Sequence, residues 1–177
     1  MDRAECIKIS KFLSMLLRHK PEEIALSLDE NGWADINDIV DKSKEIELSV
    51  DKIIYVIETS DKKRFQLSDD RSKIRANQGH SIPVNLDLKE KEPPEILYHG
   101  TATRFIKNIR KHGLTSQKRN HVHLSNSIET AMEVGKRYGE PILLKVHAQK
   151  MYKQGMKFYL SENGVWLTNN VPIEFIL

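Results

Sequence analysis

Cysteine is almost absent from this chain of 177 residues, which contains only Cys6. A single cysteine excludes an intrachain disulfide and any zinc site built from several cysteines. Long hydrophobic runs are also missing, since none approaches the roughly 18 residues that a membrane-spanning helix needs. The first residues are charged and lead into an amphipathic segment, so we predict that they are not a signal peptide. These absences predict a cytoplasmic protein in a reducing compartment, with no membrane partner.

Common nucleotide-binding motifs are absent as well. The chain has no glycine-rich phosphate loop, no G-x-G-x-x-G after a predicted strand and no nucleophile elbow. Its net charge is only +3, with 30% charged and 39% hydrophobic residues. This excess of positive charge is small for a protein that binds nucleic acid along an extended surface. A bound nucleotide would therefore not lie in a Rossmann or Walker cradle.

The first half has the pattern of three helices followed by a hairpin. Apolar residues from Ile9 to Leu17 recur at helical spacing, and Pro21 ends this predicted helix. Asp35 and Ser49 are predicted to cap two further helices. Two strand-like runs within 64–76 flank a polar turn and predict a hairpin. This order is typical of a winged helix, a fold that commonly meets nucleic acid but often binds only protein.

A charged segment with paired prolines separates the two halves. Val84, Leu86 and Leu88 alternate with polar residues, which predicts that part of the segment pairs as a strand. The prolines at 93 and 94 mark the remainder as an exposed joint. We predict a first lobe at 1–81, a linker at 82–95 and a second lobe at 96–177.

The second half alternates short strands with helices, which predicts an α+β fold. A turn is predicted at 100–101, and Thr103 is predicted to cap a helix that Gly113 ends. Ser125 or Asn126 is predicted to cap the next helix. Strands are predicted at 96–99, 121–125, 142–146, 158–160, 165–168 and 173–176.

Cationic side chains occur at three separated places on predicted rigid elements. Arg18 and His19 end the first helix, whereas Arg75 and Arg119 lie in or beside strand-like runs. Guanidinium and imidazole groups held in this way suit a multiply charged oxyanion such as a phosphate. Cations near a helix C-terminus also relieve unpaired carbonyls by about 0.3–1 kcal/mol. From the residue pattern alone, two interpretations of these cations remain open. One is phosphate binding, and the other is ordinary charges at a helix end or on the surface.

Three polar segments are candidate ligand contacts. The 75–81 run ends a strand in amide, glycine, imidazole and hydroxyl groups, and the 98–101 run places a histidine and a threonine around a glycine. His121 and His123 lie on one side of a predicted strand, but two histidines without a third ligand do not define a metal site. We therefore predict no bound metal.

Taken together, these segments closely resemble the RNA 2′-phosphotransferase family. The resemblance runs in collinear order over essentially the whole chain. Its matching runs are 10–14, 17–21, 32–35, 64–65, 74–81, 97–101, 122–125 and 164–168.

The resemblance implies an N-terminal winged-helix RNA-binding lobe and a C-terminal ADP-ribosyltransferase-like mixed β lobe that binds NAD. It implies an enzyme, acting as a monomer in tRNA splicing, whose partner is RNA carrying an internal 2′-phosphate. NAD would be consumed as a substrate, without a metal. The implied catalytic residues are Arg18, His19, Arg75 and Arg119. The implied NAD-binding residues are His99, Gly100, Thr101, His123, Leu124 and Ser125. The implied RNA-binding residues are Lys20, Gln78 and His80.

The implied reaction has two steps and forms a 2′-phospho-ADP-ribosylated RNA intermediate. Its products are RNA with a free 2′-hydroxyl, ADP-ribose 1″,2″-cyclic phosphate and nicotinamide. Many members of the wider ADP-ribosyltransferase class carry a catalytic glutamate on a late strand, where this chain has Gly164-Val165-Trp166. This departure argues against glutamate-dependent modification of protein side chains. Two alternatives remain: a winged-helix protein without catalysis, and an ADP-ribosyltransferase that leaves its label on the acceptor.

Overall fold

The chain folds as two units in the computed structural model, which describes all 177 residues. The N-terminal unit is Met1–Asp87 and the C-terminal unit is Leu88–Leu177. Each unit has its own cluster of buried apolar side chains. Helices and small sheets occur in both units, so the predicted α+β class is confirmed. No helix has the length and apolar character that crossing a bilayer requires.

Three helices and three short strands make up the N-terminal unit. As predicted, the Asp35 side chain caps the second helix by accepting from two backbone N–H groups, and Ser49 caps the third. Pro21 follows the first helix and begins a 3₁₀ turn. The elements are α1 (Arg3–Arg18), β1 (Ala34–Asp35), α2 (Ile36–Lys42), α3 (Val50–Thr59), β2 (Phe65–Leu67) and β3 (Lys73–Ala76).

The strands of this unit form an antiparallel sheet in the order β1-β3-β2. The predicted hairpin is therefore present. The sheet also contains β1, which was not predicted because a strand of two residues leaves no recognisable pattern in the sequence. Ile74 of β3 is fully buried, whereas its neighbour Arg75 is only partly buried. This alternation places one face of the sheet on the core and leaves the other face to polar side chains.

The strand predicted between residues 84 and 88 does not form. The backbone N–H of Asn85 instead donates to the Glu30 carbonyl, and the Asn31 side chain donates to the Asn85 carbonyl. These bonds occupy the backbone groups that a ladder would need. The only strand-like pairing in the predicted linker is an isolated bridge between Glu90 and Tyr159. Residues 82–87 belong to the N-terminal unit and residues 88–95 to the C-terminal unit.

Seven strands and three helices make up the C-terminal unit. Its strands pair as β4-β7, β6-β9-β8 and β5-β10, all antiparallel. Backbone bonds between Tyr98 and Ser125 join β4 to the end of β6. The elements are β4 (Leu97–Ala102), α4 (Ile106–His112), β5 (Leu114–Thr115), β6 (Val122–Leu124), α5 (Ile128–Lys136), β7 (Pro141–Val146), α6 (Ala148–Lys153), β8 (Phe158–Leu160), β9 (Trp166–Thr168) and β10 (Asn170–Val171).

The turn predicted at 100–101 is wrong, because β4 continues through both residues and pairs them with β7. Gly100 is needed for close approach of a helix. A Cβ atom built on it would lie only 1.5 Å from the Ala131 carbonyl oxygen of α5. Gly135 of α5 is tight against β4 in the same way, since a Cβ atom built on it would lie 2.8 Å from the Thr101 carbonyl oxygen. Small residues on both elements therefore set the packing of α5 on β4.

Three further local predictions need correction. Thr103 makes no capping bond and begins a 3₁₀ turn that precedes α4, although Gly113 ends α4 with a positive φ as expected. The cap of α5 is Ser127, whose hydroxyl accepts from Thr130 N. The predicted strand at 173–176 is a 3₁₀ turn, attached to β7 by one bridge.

Candidate functional site

In the N-terminal unit, the end of α1 is tied to the loop that follows β3. Ser81 N donates to the Arg18 carbonyl at 2.8 Å. The His19 Nδ1 atom lies 2.8 Å from the Ser81 hydroxyl oxygen, across 62 residues of sequence. These bonds hold Arg18 and His19 beside the 77–81 loop. The cationic end of α1 and the polar run after β3, two of the candidate segments in the sequence, therefore lie close together.

The Arg18 side chain lies against Gly79 in this loop. A Cβ atom placed on Gly79 would be 3.7 Å from Cδ, Nε and Cζ of Arg18. Gly79 also has φ +89°, a conformation that favours glycine. The guanidinium carbon of Arg18 is 6.0 Å from the centroid of the Phe65 ring. The loop glycine and an aromatic ring on β2 therefore position this arginine.

The His80 side chain, in the same loop, is only 2% exposed. Burial lowers its pKa to about 4, and electrostatic repulsion by Arg18, His19 and Arg75 adds to the shift. The ring is therefore neutral at pH 7. Arg18, His19 and Arg75, three of the side chains predicted for phosphate chemistry, are all close enough to His80 to contribute to this shift.

His80, for which RNA binding is predicted, is almost fully buried in this unit. Its Nε2 atom is buried without a hydrogen-bond partner, and it faces Gly32, whose hypothetical Cβ would be 3.6 Å away. The sequence contained no signal of burial, because a histidine in a polar loop is usually accessible. The buried Nε2 atom therefore has no partner within the protein, and the RNA-binding role of His80 stays a prediction.

Arg75 is held by two partners on the sheet. Its guanidinium carbon lies 4.6 Å from the centroid of the Trp33 ring. Its Nε and Nη2 atoms donate to Oε1 of Gln66 at 3.2 and 3.1 Å. Stacking and a forked hydrogen bond fix the guanidinium plane, which suits recognition of a planar or tetrahedral oxyanion.

The remaining polar residues of this region differ in their surroundings. Lys20 is exposed and forms an ion pair with Glu23 at 3.2 Å, an interaction of low energetic value at a surface. The Gln78 side-chain oxygen is buried and makes no hydrogen bond. Arg64 was assigned no role from the sequence, yet its backbone carbonyl accepts from Asn77 N in the same loop. The sequence feature that could have pointed to Arg64 was its place in the 64–65 run, one of the runs that carry the family resemblance.

In the C-terminal unit, His99 and His123 are linked between β4 and β6. The His99 Nδ1 atom is 2.9 Å from the His123 carbonyl oxygen. Because a carbonyl only accepts, Nδ1 carries the proton and Nε2 of the neutral ring is an acceptor. Burial lowers the pKa of His99, and the bond to the His123 carbonyl opposes this shift only in part. His99 therefore presents a neutral acceptor that suits a ligand hydroxyl.

Arg119 contacts the same pair of strands. Its Nη1 atom lies 3.1 Å from Nδ1 of His123. Arginine is only a donor, so this nitrogen of His123 accepts the bond and the neutral ring carries its proton on Nε2. A turn bond from Arg119 N to the Ser116 carbonyl, 3.0 Å long, fixes the backbone that presents the guanidinium.

The other predicted NAD-binding residues have largely structural surroundings. Thr101 is 6% exposed and Leu124 is 2% exposed, with the Leu124 side chain in the hydrophobic core. The Ser125 hydroxyl accepts from Ser127 N at 3.0 Å and so orders the start of α5. Gly100 serves the packing of α5 on β4. Any ligand contact of Leu124 or Gly100 would therefore come from the backbone.

No group of three histidine, cysteine, aspartate or glutamate residues is arranged to hold a metal ion. The N-terminal unit instead gathers cationic donors, and the C-terminal unit presents two neutral imidazoles beside an arginine. These groups can stabilise an anion and orient hydroxyl groups. This chemistry is typical of a transferase that handles a phosphorylated substrate.

Comparison with known proteins is consistent with this class. Residues 4–170 match the family model described as RNA 2′-phosphotransferase, Tpt1 / KptA family. A probable RNA 2′-phosphotransferase of Flavobacterium johnsoniae is 55% identical over 170 residues, which cover 95% of this chain and 93% of the relative. Relatives with the same description from Acaryochloris marina and Pectobacterium atrosepticum are each 52% identical over 171 residues. These matches cover 96% and 95% of this chain, and 94% and 95% of the relatives.

The chain is therefore an enzyme of the transferase class. It belongs to the RNA 2′-phosphotransferase family, as its sequence motifs indicated.

Proposed function

We propose that this enzyme removes an internal RNA 2′-phosphate, such as one left at a tRNA splice junction, and consumes NAD⁺ in doing so. Family membership supports the removal of an RNA 2′-phosphate. The observation that carries the proposal is that Ser81 holds Arg18 and His19 beside the loop that follows β3, the strand on which Gln66 and Trp33 fix the Arg75 guanidinium. Such a group of cations has a clear use in holding a dianionic phosphate.

The two units have different proposed tasks. The N-terminal unit, with three helices and a β-hairpin, is proposed to act as a winged-helix RNA-binding lobe. The C-terminal unit is proposed to be an ADP-ribosyltransferase-like lobe that binds NAD⁺ as a substrate. The acceptor Nε2 of His99 fits a ribose hydroxyl, which supports this assignment. The enzyme is proposed to be a cytoplasmic monomer.

In the first proposed step, a 2′-phosphate oxygen attacks the anomeric carbon of the nicotinamide ribose. The carbon–nitrogen bond breaks, nicotinamide leaves with the bonding electrons, and a 2′-phospho-ADP-ribosylated RNA forms. The nucleophile is already anionic, so the protein must position the reactants more than it must remove a proton. The neutral imidazoles of His99 and His123 are suited to orienting ribose hydroxyls without repelling the cationic nicotinamide ring.

In the second proposed step, the ribose 2″-hydroxyl attacks phosphorus and the RNA 2′-oxygen leaves. The products are RNA with a 2′-hydroxyl and ADP-ribose 1″,2″-cyclic phosphate. Negative charge builds on the phosphoryl oxygens, and Arg18, Arg75 and Arg119 are proposed to stabilise it. His19, oriented by Ser81, is proposed to assist proton transfer to the leaving oxygen.

Product analysis tests the whole proposal. A short RNA with one internal 2′-phosphate is incubated with NAD⁺ and the purified protein, and products are identified by mass spectrometry. Release of nicotinamide together with the cyclic phosphate and 2′-hydroxyl RNA is the expected result. An ADP-ribose label that persists on the acceptor would favour a simple ADP-ribosyltransferase, and unchanged RNA would leave only a binding protein.

Alanine substitution of Arg18, Arg75 or Arg119 tests the two-step order. Each change should slow the second step by roughly 10²–10³, the usual loss for one preorganised oxyanion donor. The first step should suffer less, so ADP-ribosylated RNA should accumulate in at least one variant on denaturing gels. Arg3→Ala, on the exposed first turn of α1, is the matched control and should behave as wild type. Wild-type turnover in all three variants would make these arginines ordinary surface cations.

A further inference from the structure

The outer face of the N-terminal sheet carries polar side chains around one tryptophan. Gln66 pairs with Arg75 across β2 and β3, and Ala34 pairs with Ile74 across β1 and β3. Extending the β1–β3 register by one residue brings Trp33 opposite Arg75. Side chains alternate between faces, so Trp33, Arg75 and Gln66 form a row across the face opposite the core.

An open pocket of about 410 Å³ lies on this face. It is a shallow depression, widely open to solvent. Its lining residues are Trp33, Gln66, Leu67, Ser68, Asp69 and Lys73. We refer to it as the sheet pocket. None of these residues was assigned a role above, apart from the contacts of Trp33 and Gln66 with Arg75.

The sheet pocket presents donors and an acceptor that no other protein group uses. The Gln66 oxygen accepts two guanidinium bonds from Arg75, and the Gln66 amide nitrogen has two donors to offer. The side chains of Asp69 and Lys73 are exposed and make no hydrogen bond or ion pair with the protein. A carboxylate, an ammonium and an amide therefore line the same pocket.

The turn that carries Asp69 is internally ordered. The neighbouring Asp70 accepts from the hydroxyls of Ser68 and Ser72 at 2.6 and 2.8 Å, and from Ser72 N at 3.1 Å. These bonds satisfy Asp70 and shape the turn between β2 and β3. Asp69 is thus presented by a preformed loop, which lowers the cost of ordering it on binding.

The stacked pair of Arg75 and Trp33 supplies a flat surface beside these groups. The guanidinium carbon of Arg75 lies over the indole ring of Trp33, 4.6 Å from its centroid. Bases of unpaired RNA stack on aromatic rings and on guanidinium planes. One aspartate and one lysine balance in charge, so the sheet pocket favours a neutral polar ring over a bare phosphate.

We propose that the sheet pocket binds the base of an unpaired nucleotide in single-stranded RNA, with guanine preferred. The Asp69 carboxylate matches the adjacent N1–H and N2–H donors of guanine, and Lys73 or the Gln66 amide matches its O6 acceptor. Uracil offers only one N–H donor and binds less well. This inference deepens the proposed function, because it rests on RNA as the substrate.

Trp33 fluorescence measures this binding directly. Trp166→Phe removes the only other tryptophan, which is buried in the C-terminal unit. The probes are two RNA hexamers without a 2′-phosphate, one all-uridine and one with a single central guanosine. Quenching with an affinity on the order of tenfold higher for the guanosine hexamer is expected. Equal affinity for the two hexamers, or no quenching, overturns the proposal.

Two substitutions assign the preference to the sheet pocket. Asp69→Ala removes the acceptor and should erase the guanosine preference. Asp61→Ala, in the exposed turn before β2, is the matched control and should keep it. Gln66→Glu retains an acceptor for Arg75 but loses the free amide donors, so it should weaken binding of the guanosine hexamer. A guanosine preference unchanged by Asp69→Ala contradicts the proposal.

The hexamer measurement needs neither NAD⁺ nor a 2′-phosphate. If the protein prefers the guanosine hexamer but releases no cyclic phosphate, the base-binding site is supported and the proposed reaction is refuted. If the protein completes the reaction but has no guanosine preference, the base-binding site is refuted and the proposed reaction is supported. The two failures are therefore distinguishable.

Discussion

Replacing His80 by glutamine should remove part of the acid sensitivity of the N-terminal unit. Burial of the His80 ring, which is 2% exposed, lowers its pKa from 6.5 to about 4, and the charges of Arg18, His19 and Arg75 add to this shift. In the unfolded chain the ring regains its ordinary pKa. Glutamine is polar and stays neutral across this range, so it fills the site without the titration.

The sign and size of the effect follow from proton linkage. Between pH 6.5 and about 4 the unfolded state binds a proton at His80 that the folded state does not, so acid favours unfolding. Each pKa unit corresponds to about 1.36 kcal/mol. At pH 5, which lies 1.5 units below the ordinary pKa of 6.5, the loss is about 2 kcal/mol. At pH 7 it is close to zero.

Urea unfolding at pH 7 and pH 5 measures this loss. Trp33 fluorescence in a Trp166→Phe background reports on the N-terminal unit, and His80→Gln is compared with its parent. His80→Gln should lose about 2 kcal/mol less than the parent between the two pH values. His112→Gln, an exposed histidine of the other unit, is the control and should leave the Trp33 transition unchanged.

A constant difference between parent and His80→Gln at both pH values would refute this reasoning. It would mean that the folded state accommodates a protonated ring despite the surrounding cations. The effects of carboxylates and of the two partly buried histidines, His99 and His121, are common to both proteins. The comparison therefore isolates His80.

Four further outcomes are expected. Gly100→Ala should destabilise the C-terminal unit by at least about 3 kcal/mol in urea unfolding, because a Cβ would meet the α5 backbone at 1.5 Å. Gly155→Ala, with open space but φ +91°, should cost only the strain of about 1–2 kcal/mol. His99→Ala should raise the KM for NAD⁺ while RNA affinity in a filter-binding assay survives; an equal loss of both would contradict the assignment of NAD⁺ to that unit. Ser81→Ala should lower kcat on the order of tenfold with little change in the RNA KM, since the hydroxyl orients His19, and Ser81→Thr should restore it. RNA affinity should fall with salt at a shallow log–log slope of about −2 to −3, as for three or four phosphate contacts; a slope near −10 would indicate an extended basic surface.

Local structure and family membership were readable from the sequence. The caps at Asp35 and Ser49 and the helix end at Gly113 depend on residues within a few positions of one another, so short patterns predict them. The hairpin of β2 and β3 follows from alternation and turn residues in the same way. The family's runs of residues span the chain and identified it before any geometry was known.

Burial and close approach were decided only by the tertiary structure. Gly100 was predicted to turn the chain, but it makes room for a helix whose contact residue, Ala131, lies about 30 positions away. His80 lies in a polar loop of the sequence, and only the fold reveals that packing against the Gly32 turn buries it and that this burial lowers its pKa. The stacking of Arg75 on Trp33 depends on β1, a strand too short to be seen in the pattern. Such features arise from residues far apart in the chain, and a local pattern carries no information about the partners that the fold supplies.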